Sequence, residues 1–305
     1  MNKSMRTIEP LKITVVMACR NAEKTVERTL RSIAEQNYSN LEFIVVDGLS
    51  TDRTVEILRQ YKHIVSEIIC EKDRNVCEAI NKGFKRATGD IHCYLNADDC
   101  FSPGTLRRIA GEFQADPETD LITGGCKRVF ADGSVIITQV PDNFEKVMAL
   151  RNVIEQPSTF WRASIHRKAG ELDESYSLAF DWDWWNRLRI CGARFRVIND
   201  VLSVYYFSND NLTSKAGMRA AEESYRITKS YGPNRGLLAD VYRILFRLFD
   251  MNGYYDRPFS ELNAVQRLYF GSVLSVLNAL FGRESINAYN WQWASKQIRG
   301  MPWYK

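Results

Sequence analysis

Apolar residues along the chain fall into short continuous runs separated by stretches with helical spacing. ITVVMA (13–18) is a β-branched run of strand length bounded by polar residues. Over 23–36, Val26, Leu30 and Ile33 recur at the three-to-four-residue interval of an amphipathic helix. LEFIVVD (41–47) predicts a second strand, and Ser50, Thr51 and Asp52 offer N-cap oxygens to a helix carrying Val55, Ile57 and Leu58. A third strand is expected over 63–70, a helix over 77–87 stopping near Gly89, and a fourth strand over IHCYLNA (91–97). A further helix behind Pro103 carries Leu106, Ile109 and Phe113.

Strands separated by helices predict parallel βαβ units with helices on both faces, an α/β fold. Ligands of such sheets bind at the carboxyl ends of the strands. The polar residues there are Arg20 and Asn21 after the first strand, Asp47 after the second and Asp73 after the third. Asn96, Asp98 and Asp99 follow the fourth. All are expected on one edge of the sheet.

The second half changes character. Asp132-Gly133 between two β-rich runs signals a hairpin. A short helix is expected over 144–150, an extended segment over 156–161, a helix over 181–190, and strands over 194–198 and 201–207. From about Arg219 the pattern is mostly helical, with apolar-rich stretches at 239–249 and 262–281 interrupted by Arg243, Arg247 and Arg267. These stretches fit helices packed on the rest of the chain, an interfacial surface that approaches a membrane, or a homodimer contact. Trp291, Trp293 and Trp303 suit any of these.

Composition narrows the class. The 305 residues are 45% apolar and 26% charged, which is globular rather than disordered. Forty-one Lys and Arg against 37 Asp and Glu give +4, too mild for a nucleic-acid partner. Seven cysteines without a C-x-x-C read as reduced thiols of a cytoplasmic protein. The first twelve residues lack the apolar core of a secretory signal, and no uninterrupted apolar stretch reaches spanning length. H-E-x-x-H, G-x-S-x-G, the P-loop and a G-x-G-x-x-G after a strand are all absent, which removes zinc peptidases, serine hydrolases, P-loop ATPases and dehydrogenases. His63, His92 and His166 are isolated.

Three clusters carry chemistry. In Asn96-Ala97-Asp98-Asp99 two adjacent carboxylates repel, and a hard divalent cation beside a phosphate relieves that repulsion; a capped turn explains the same residues. Asp47 can accept hydrogen bonds from a base or sugar, or simply close its loop. In Asp181-Trp182-Asp183-Trp184-Trp185, carboxylates among rings suit a sugar, and a desolvated Asp suits a general base. One or two of these Trp belong to the core on the plainer reading.

The order of motifs resembles inverting glycosyltransferase family 2. It runs from C-R-N after the first strand through VVDGLSTDRT, EKDRNVCEAINKGFKRATGD and YLNADD. It continues in QPSTFWR and LDESYSLAFDWDWWNRLRICGARFRVI. The resemblance implies the glycosyltransferase-A fold: a Rossmann-like, mostly parallel sheet flanked by helices, here with a helical C-terminal extension. It implies a catalytic domain over 1–215, with about 11–125 for the nucleotide-sugar and about 126–215 for the acceptor, and a mostly helical region over 216–305. By position it assigns Ala18, Arg20, Asn21, Asp47, Asp73, Asn81, Lys82 and Asn96 to the nucleotide-sugar. Asp98 is assigned to the nucleotide-sugar and to a Mn²⁺ or Mg²⁺, with Asp99 as a supporting or substrate contact. Asp181 becomes the general base, and Gln156, Trp161, Trp182 and Asp183 the acceptor side. Asn96 stands where the family has Asp, Asn75 where it has Gly, and Phe180 where it often has Glu.

The implied activity is metal-dependent transfer from a nucleoside-diphosphate sugar to a glycan or lipid-linked glycan hydroxyl. Its expected setting is bacterial surface polysaccharide or glycolipid assembly, in the cytoplasm or at the inner membrane face. Two other classes use similar parts. A nucleotidyltransferase wants a Gly-rich basic loop that Ala18-Cys19-Arg20-Asn21 does not supply. A non-catalytic nucleotide-sugar or glycan-binding module is suggested by Asn96.

Overall fold

The computed structural model describes residues 10–207, 217–232 and 236–241, with Ala264, Val265, Leu268, Ser272, Ser275, Val276 and Ala279. Strand β1 (Ile13–Cys19) is buried along its whole length, as a strand covered on both faces must be. Helix α1 (Val26–Ala34) turns Val26, Leu30 and Ile33 inward. β2 (Leu41–Asp47), α2 (Thr54–Gln60), β3 (Glu67–Cys70), α3 (Val76–Phe84) and β4 (Ile91–Tyr94) repeat the unit. β1 to β4 are parallel, in spatial order β3-β2-β1-β4.

The chain continues through β5 (Cys100–Phe101), α4 (Thr105–Ala115), β6 (Leu121–Val129), β7 (Val135–Thr138), α5 (Phe144–Val147), a 3-10 turn at Gln156–Ser158 and β8 (Thr159–Arg162). It ends in α6 (Ala163–Ala169), α7 (Phe180–Ile190), β9 (Phe195–Tyr206) and α8 (Gly217–Tyr231). β8 runs antiparallel between β4 and β6, and β9 lies parallel to β6 on its other edge. The hairpin of β6 and β7 closes through the turn at Gly133, whose φ is +82°.

The strand–helix alternation of the first half is present as expected. The second half differs in detail. The strands expected over 194–198 and 201–207 are one strand, β9, which itself bulges between them: it runs from Val197 to Ser203 while β6 runs only from Thr123 to Cys126, and a Cβ at Gly124 would lie 2.7 Å from the Asp200 carbonyl oxygen. The segment expected to extend from 156 begins as a 3-10 turn, with Pro157 inside it. The third strand starts at Glu67, since the chain before it turns through Ile64 N–H to Tyr61 O, 3.0 Å. β5 and α6 carry no periodic signal.

The chain divides into two compact units. One comprises Met1–Val140, Glu155–Ser177 and Arg187–Phe207, and the other Pro141–Ile154, Leu178–Asn186 and Ser208–Lys305. The first unit contains every described strand. Its core joins β1, β2 and β4 to α1 and α4 through Val15, Met17, Phe43, Val45, Leu30 and Phe113. At the amino ends of its strands Glu42 is a closed polar knot. Its carboxylate accepts from Lys12 Nζ (2.7 Å), Thr14 Oγ1 (2.6 Å), and Thr88 N and Oγ1 (2.7 and 2.5 Å). Burial pushes the Glu42 carboxyl up, but these donors outweigh it and hold it at about 2.

In the second unit Glu223 of α8 accepts the backbone N–H groups of Leu178 and Ala179, both at 2.9 Å, which satisfies donors at the start of α7. The apolar stretches at 239–249 and 262–281 lie largely, and Trp291, Trp293 and Trp303 entirely, outside the described residues. Among the described residues no helix is long and apolar enough to cross a membrane.

Candidate active site

The carboxyl ends of β1, β2 and β3 are level, with Cys19 beside Asp47 and Asp47 beside Cys70. Two loops leaving them are stitched together. Asn21, at a left-handed φ of 51°, accepts the Thr51 N–H at 2.8 Å and donates its own backbone N–H to Ser50 Oγ at 2.8 Å. Asp47, expected to meet a base, is 1% exposed. Its oxygens accept Ser50 N (2.8 Å), Ser50 Oγ (2.5 Å) and the Cys19 thiol (3.7 Å). Asp47 therefore shapes the loop and turns away from solvent. Ala18, paired with Val46 in the β1–β2 ladder, is buried too.

Asp73, by contrast, is half-buried and keeps surface toward solvent. Gly48 lies beneath it: a Cβ there would overlap Asp73 Oδ2 and come 3.3 Å from Arg20 Cδ. Desolvation raises the Asp73 carboxyl, against the pull of the Lys82 and Arg20 charges. A half-buried carboxylate, a guanidinium and bare backbone thus meet at one strand edge. The resemblance had assigned Asp73 to the nucleotide-sugar, and Gly48 stands where the family often has a second Asp; their close approach to each other was not legible in the sequence.

Asn81, assigned to the nucleotide, is 2% exposed. Its amide grips the Leu172 backbone on both sides, N–H to Oδ1 at 3.0 Å and Nδ2 to O at 2.9 Å, and also reaches Glu174. It clamps α3 to the 172–174 segment and has no surface for a ligand. Lys82 donates to the Lys72 carbonyl at 2.6 Å and holds the loop that carries Asp73. Asn75 is extended (φ −162°), and its Oδ1 caps α3 by accepting Glu78 N at 3.0 Å. A glycine's freedom is not needed at that position.

Beyond β4, Asp98 is half-buried and Asp99 fully buried. Arg28 of α1 donates to the Asp98 carbonyl at 3.0 Å while its guanidinium lies 3.5 Å from the Tyr206 ring centre. This residue was invisible in the sequence, where it is one more polar position on a helix. Asp99 Oδ1 has no hydrogen-bond partner among the described residues. Burial first, then the Asp98 charge, pushes the Asp99 carboxyl well above its ordinary range. Gln156 is buried, donating to Tyr94 O at 2.7 Å and accepting from Asn96 at 3.4 Å. It acts as a brace for the end of β4.

This donor set fits a hard divalent cation. Such ions take one or two carboxylates and complete their shell with phosphate and water oxygens. Among the described residues no three His, Cys, Asp or Glu side chains cluster as a metal cage. Asp98 would hold the ion, and a bound diphosphate would supply much of the remainder.

The tryptophans expected near an acceptor are core. Trp161, Trp184 and Trp185 are 0% exposed and Trp182 is 2%. The indole N–H of Trp161 meets His166 at 3.1 Å, and that of Trp182 bonds Met148 O. Asp183 is buried and accepts the Tyr231 hydroxyl at 2.7 Å. None of Trp161, Trp182 and Asp183 has surface to offer a sugar. Asp181, in the second unit, is half-buried; its oxygens accept Asn152 Nδ2 (3.0 Å) and Trp182 N (2.7 Å). His92 and His166 face each other at 3.0 Å through Nδ1, and burial lowers them to about 4 and about 3, so both are neutral core groups.

A family model described as glycosyl transferase family 2 matches residues 14–166, half of the chain, from β1 through β8 and into α6. The chain belongs to glycosyl transferase family 2. Its parallel half joined to a mixed half is the α/β arrangement of the glycosyltransferase-A fold.

An uncharacterized glycosyltransferase of Nostoc is 29% identical over 128 residues, 39% of this chain and 40% of that protein. A PGL/p-HBAD biosynthesis glycosyltransferase of Mycobacterium bovis is 26% identical over 178 residues, 56% of this chain and 67% of its own length. Among solved structures, Staphylococcus aureus TarS 1–349 in complex with UDP-GlcNAc superimposes with a TM-score of 0.62 at 16% identity, over 94% of this chain and 88% of that one. The mannosyltransferase PcManGT of Pyrobaculum calidifontis, in complex with GDP-Man and Mn²⁺, gives 0.61 at 19%, over 96% and 88%. At these identities the structures establish a shared fold.

Proposed function

We propose that this family 2 glycosyltransferase moves a sugar, with inversion, from a nucleoside-diphosphate sugar to a glycan or lipid-linked glycan hydroxyl. We further propose that it serves surface polysaccharide or glycolipid assembly, with 1–215 as the catalytic domain. The observation that carries the donor reading is Asp73 and Arg20 above the bare backbone of Gly48, with half-buried Asp98 following β4 of the same parallel sheet. Flat heterocycles and phosphates need close approach to backbone, and Gly48 allows it. Asp73 accepts N–H groups of the base. Arg20 offers positive charge toward the ribose and phosphate side. Asp98 holds a Mn²⁺ or Mg²⁺, which when bound offsets the diphosphate charge. That a UDP-GlcNAc and a GDP-Man complex occur among the structural neighbours supports a nucleotide-sugar donor here.

Asp181 takes the general-base role on the strength of the acidic motif. It removes the acceptor hydroxyl proton, and that oxygen bonds the anomeric carbon. The bond from that carbon to the diphosphate breaks on the opposite face, its electron pair leaving with the phosphate oxygen. One displacement inverts the centre and needs no enzyme nucleophile. Val265, Leu268 and Val276, all more than half exposed, support contact of the C-terminal region with an apolar surface, at the inner membrane face or in a homodimer.

The test is incubation of the full chain with a panel of nucleotide–sugars in Mn²⁺, Mg²⁺ and EDTA. Metal-dependent release of one nucleoside diphosphate, with the opposite anomer in the product by NMR, is expected. Near-wild-type transfer by both Asp98→Ala and Asp181→Asn would overturn the assignment.

A further inference from the structure

The first unit carries a second chemical surface, on the β6–β7–β9 part of its sheet. Residues of one parity share a face there. Cys126 pairs with Ser203, Arg128 with Tyr205, and Phe130 follows opposite Phe207, whose N–H bonds Val129 O at 2.8 Å. Across the hairpin, Ile136 lies opposite Arg128 and is 53% exposed. The Phe130 and Phe207 rings stack at 4.9 Å, only 11° from parallel, and Tyr205 meets Phe207 edge-on at 4.7 Å. Arg128 lies 5.9 Å from the Phe207 ring centre, and its Nη2 donates to both oxygens of Glu155, at 2.8 and 3.1 Å. All three aromatic residues are only partly buried.

This face joins the site already described. Glu155 directly precedes Gln156, the brace of Asn96 and β4. The charges of Glu155 and Asp99 both bear on the Cys126 thiol, so the innermost row lies within electrostatic reach of Asp99. Going outward, each row is two residues, about 6.6 Å, further along the strands. The sequence is therefore a small polar row, a guanidinium–carboxylate row and an aromatic row. Ring faces take the C–H faces of a pyranose, and an Arg–Glu pair takes its hydroxyls. The Glu155 carboxylate, held by Arg128 beside the rings, gives the face polar acceptors that a lipid chain cannot use and sugar hydroxyls can.

We propose that Arg128, Tyr205, Phe207, Phe130 and Glu155 form an extended acceptor platform that binds a glycan of two or more sugar units, stacking an outer unit on Phe207 and Phe130. It rests on the glycosyltransferase reading for its role and not for its binding. It replaces the buried Trp161 and Trp182 as the aromatic contribution to the acceptor.

Saturation-transfer NMR and calorimetry on the full chain test it, with cello-, malto-, chito- and manno-oligosaccharides of one to five units as probes. At least one series should bind more tightly as it lengthens beyond one unit, with transfer from aromatic protons. Phe207→Ala should weaken the longer oligosaccharides about tenfold, and Phe207→Trp, which keeps a ring, should restore them. UDP and GDP binding, read on the same samples, should be unchanged in both variants. Oligosaccharide binding without nucleotide binding would sink the donor reading and leave the platform; the converse would sink the platform alone. The proposal is also overturned if Phe207→Ala leaves oligosaccharide affinity within twofold. Loss of flotation with phosphatidylglycerol vesicles in Phe207→Ala and Ile136→Ser, with no change in oligosaccharide binding, would mark the face as a membrane contact instead.

Discussion

At the amino ends of the parallel strands Glu42 has a donor for each of its oxygens, two of them hydroxyls and one an ammonium. At the carboxyl ends Asp73 and Asp98 are half-exposed, and Asp99 keeps a buried oxygen with no partner among the described residues. Both ends gather charge on the same sheet. One is closed upon itself, so its carboxyl titrates low and it contributes stability. The other leaves a buried Asp99 oxygen with no donor among the described residues, a standing cost that a bound cation would offset. The difference separates structure from function better than charge density does.

Removing Asp98 should have the largest effect on activity and almost none on folding. Asp98→Ala is expected to lower transfer at least about a hundredfold, read as nucleoside-diphosphate release, while the thermal midpoint stays within a degree or two of wild type. A fall in both would erase the contrast between the two ends.

Glu42→Gln should do the reverse. Breaking a buried charged cluster on one side costs about 3 kcal/mol, measurable by urea unfolding, with activity per folded molecule unchanged. The pH dependence sharpens this. The folded carboxyl at about 2 lies below its ordinary 4.5. Its stabilisation is therefore complete above about 4.5 and is lost as the pH falls toward 2. The stability gap between wild type and Glu42→Gln should close over that interval.

Gly48→Ala is a smaller perturbation of the open end. The added methyl must displace Asp73, so nucleotide affinity should fall about tenfold, or roughly 1.4 kcal/mol by calorimetry, with the fold intact. Unchanged affinity would detach Asp73 from the donor site. The mildest test uses thiols. Cys70 is exposed, whereas burial pushes the Cys126 thiol up to about 12. Alkylation at pH 8, followed by mass spectrometry, should modify Cys70 well before Cys126.

The parallel half was readable because doubly covered strands appear as unbroken apolar runs, and because such sheets present ligands at predictable ends. That logic placed Asp73 and Asp98 at one edge without any further information. It could not tell an inward carboxylate from an outward one, so Asp47 looked like a ligand although its hydrogen bonds are spent on Ser50; Asn81 was assigned by resemblance alone, and its amide is spent on Leu172. Burial of α7 was also misjudged: a carboxylate between tryptophans suits a sugar and equally suits a buried helix tied by Tyr231. β5 and β8, two and four residues long, are too short for periodicity and exist only because neighbouring strands offer them an edge. Arg28 and Glu155 act through tertiary position, which no local pattern records.

The insertion of β8 beside β4 has a consequence for synthesis. A ribosome delivers β1 to β4 first, and the free side of β4 then has no strand to pair with until the segment after Gln156 emerges, 62 residues beyond Tyr94. At roughly 5–20 residues per second, that leaves an unpaired edge on the nascent chain for several seconds. Such edges template misassembly. A nonsense mutation or stall between Ala97 and Thr159 should therefore yield a product that aggregates or recruits chaperones. The first stop that leaves β4 paired on both sides lies past Arg162, close to where the family match ends at 166.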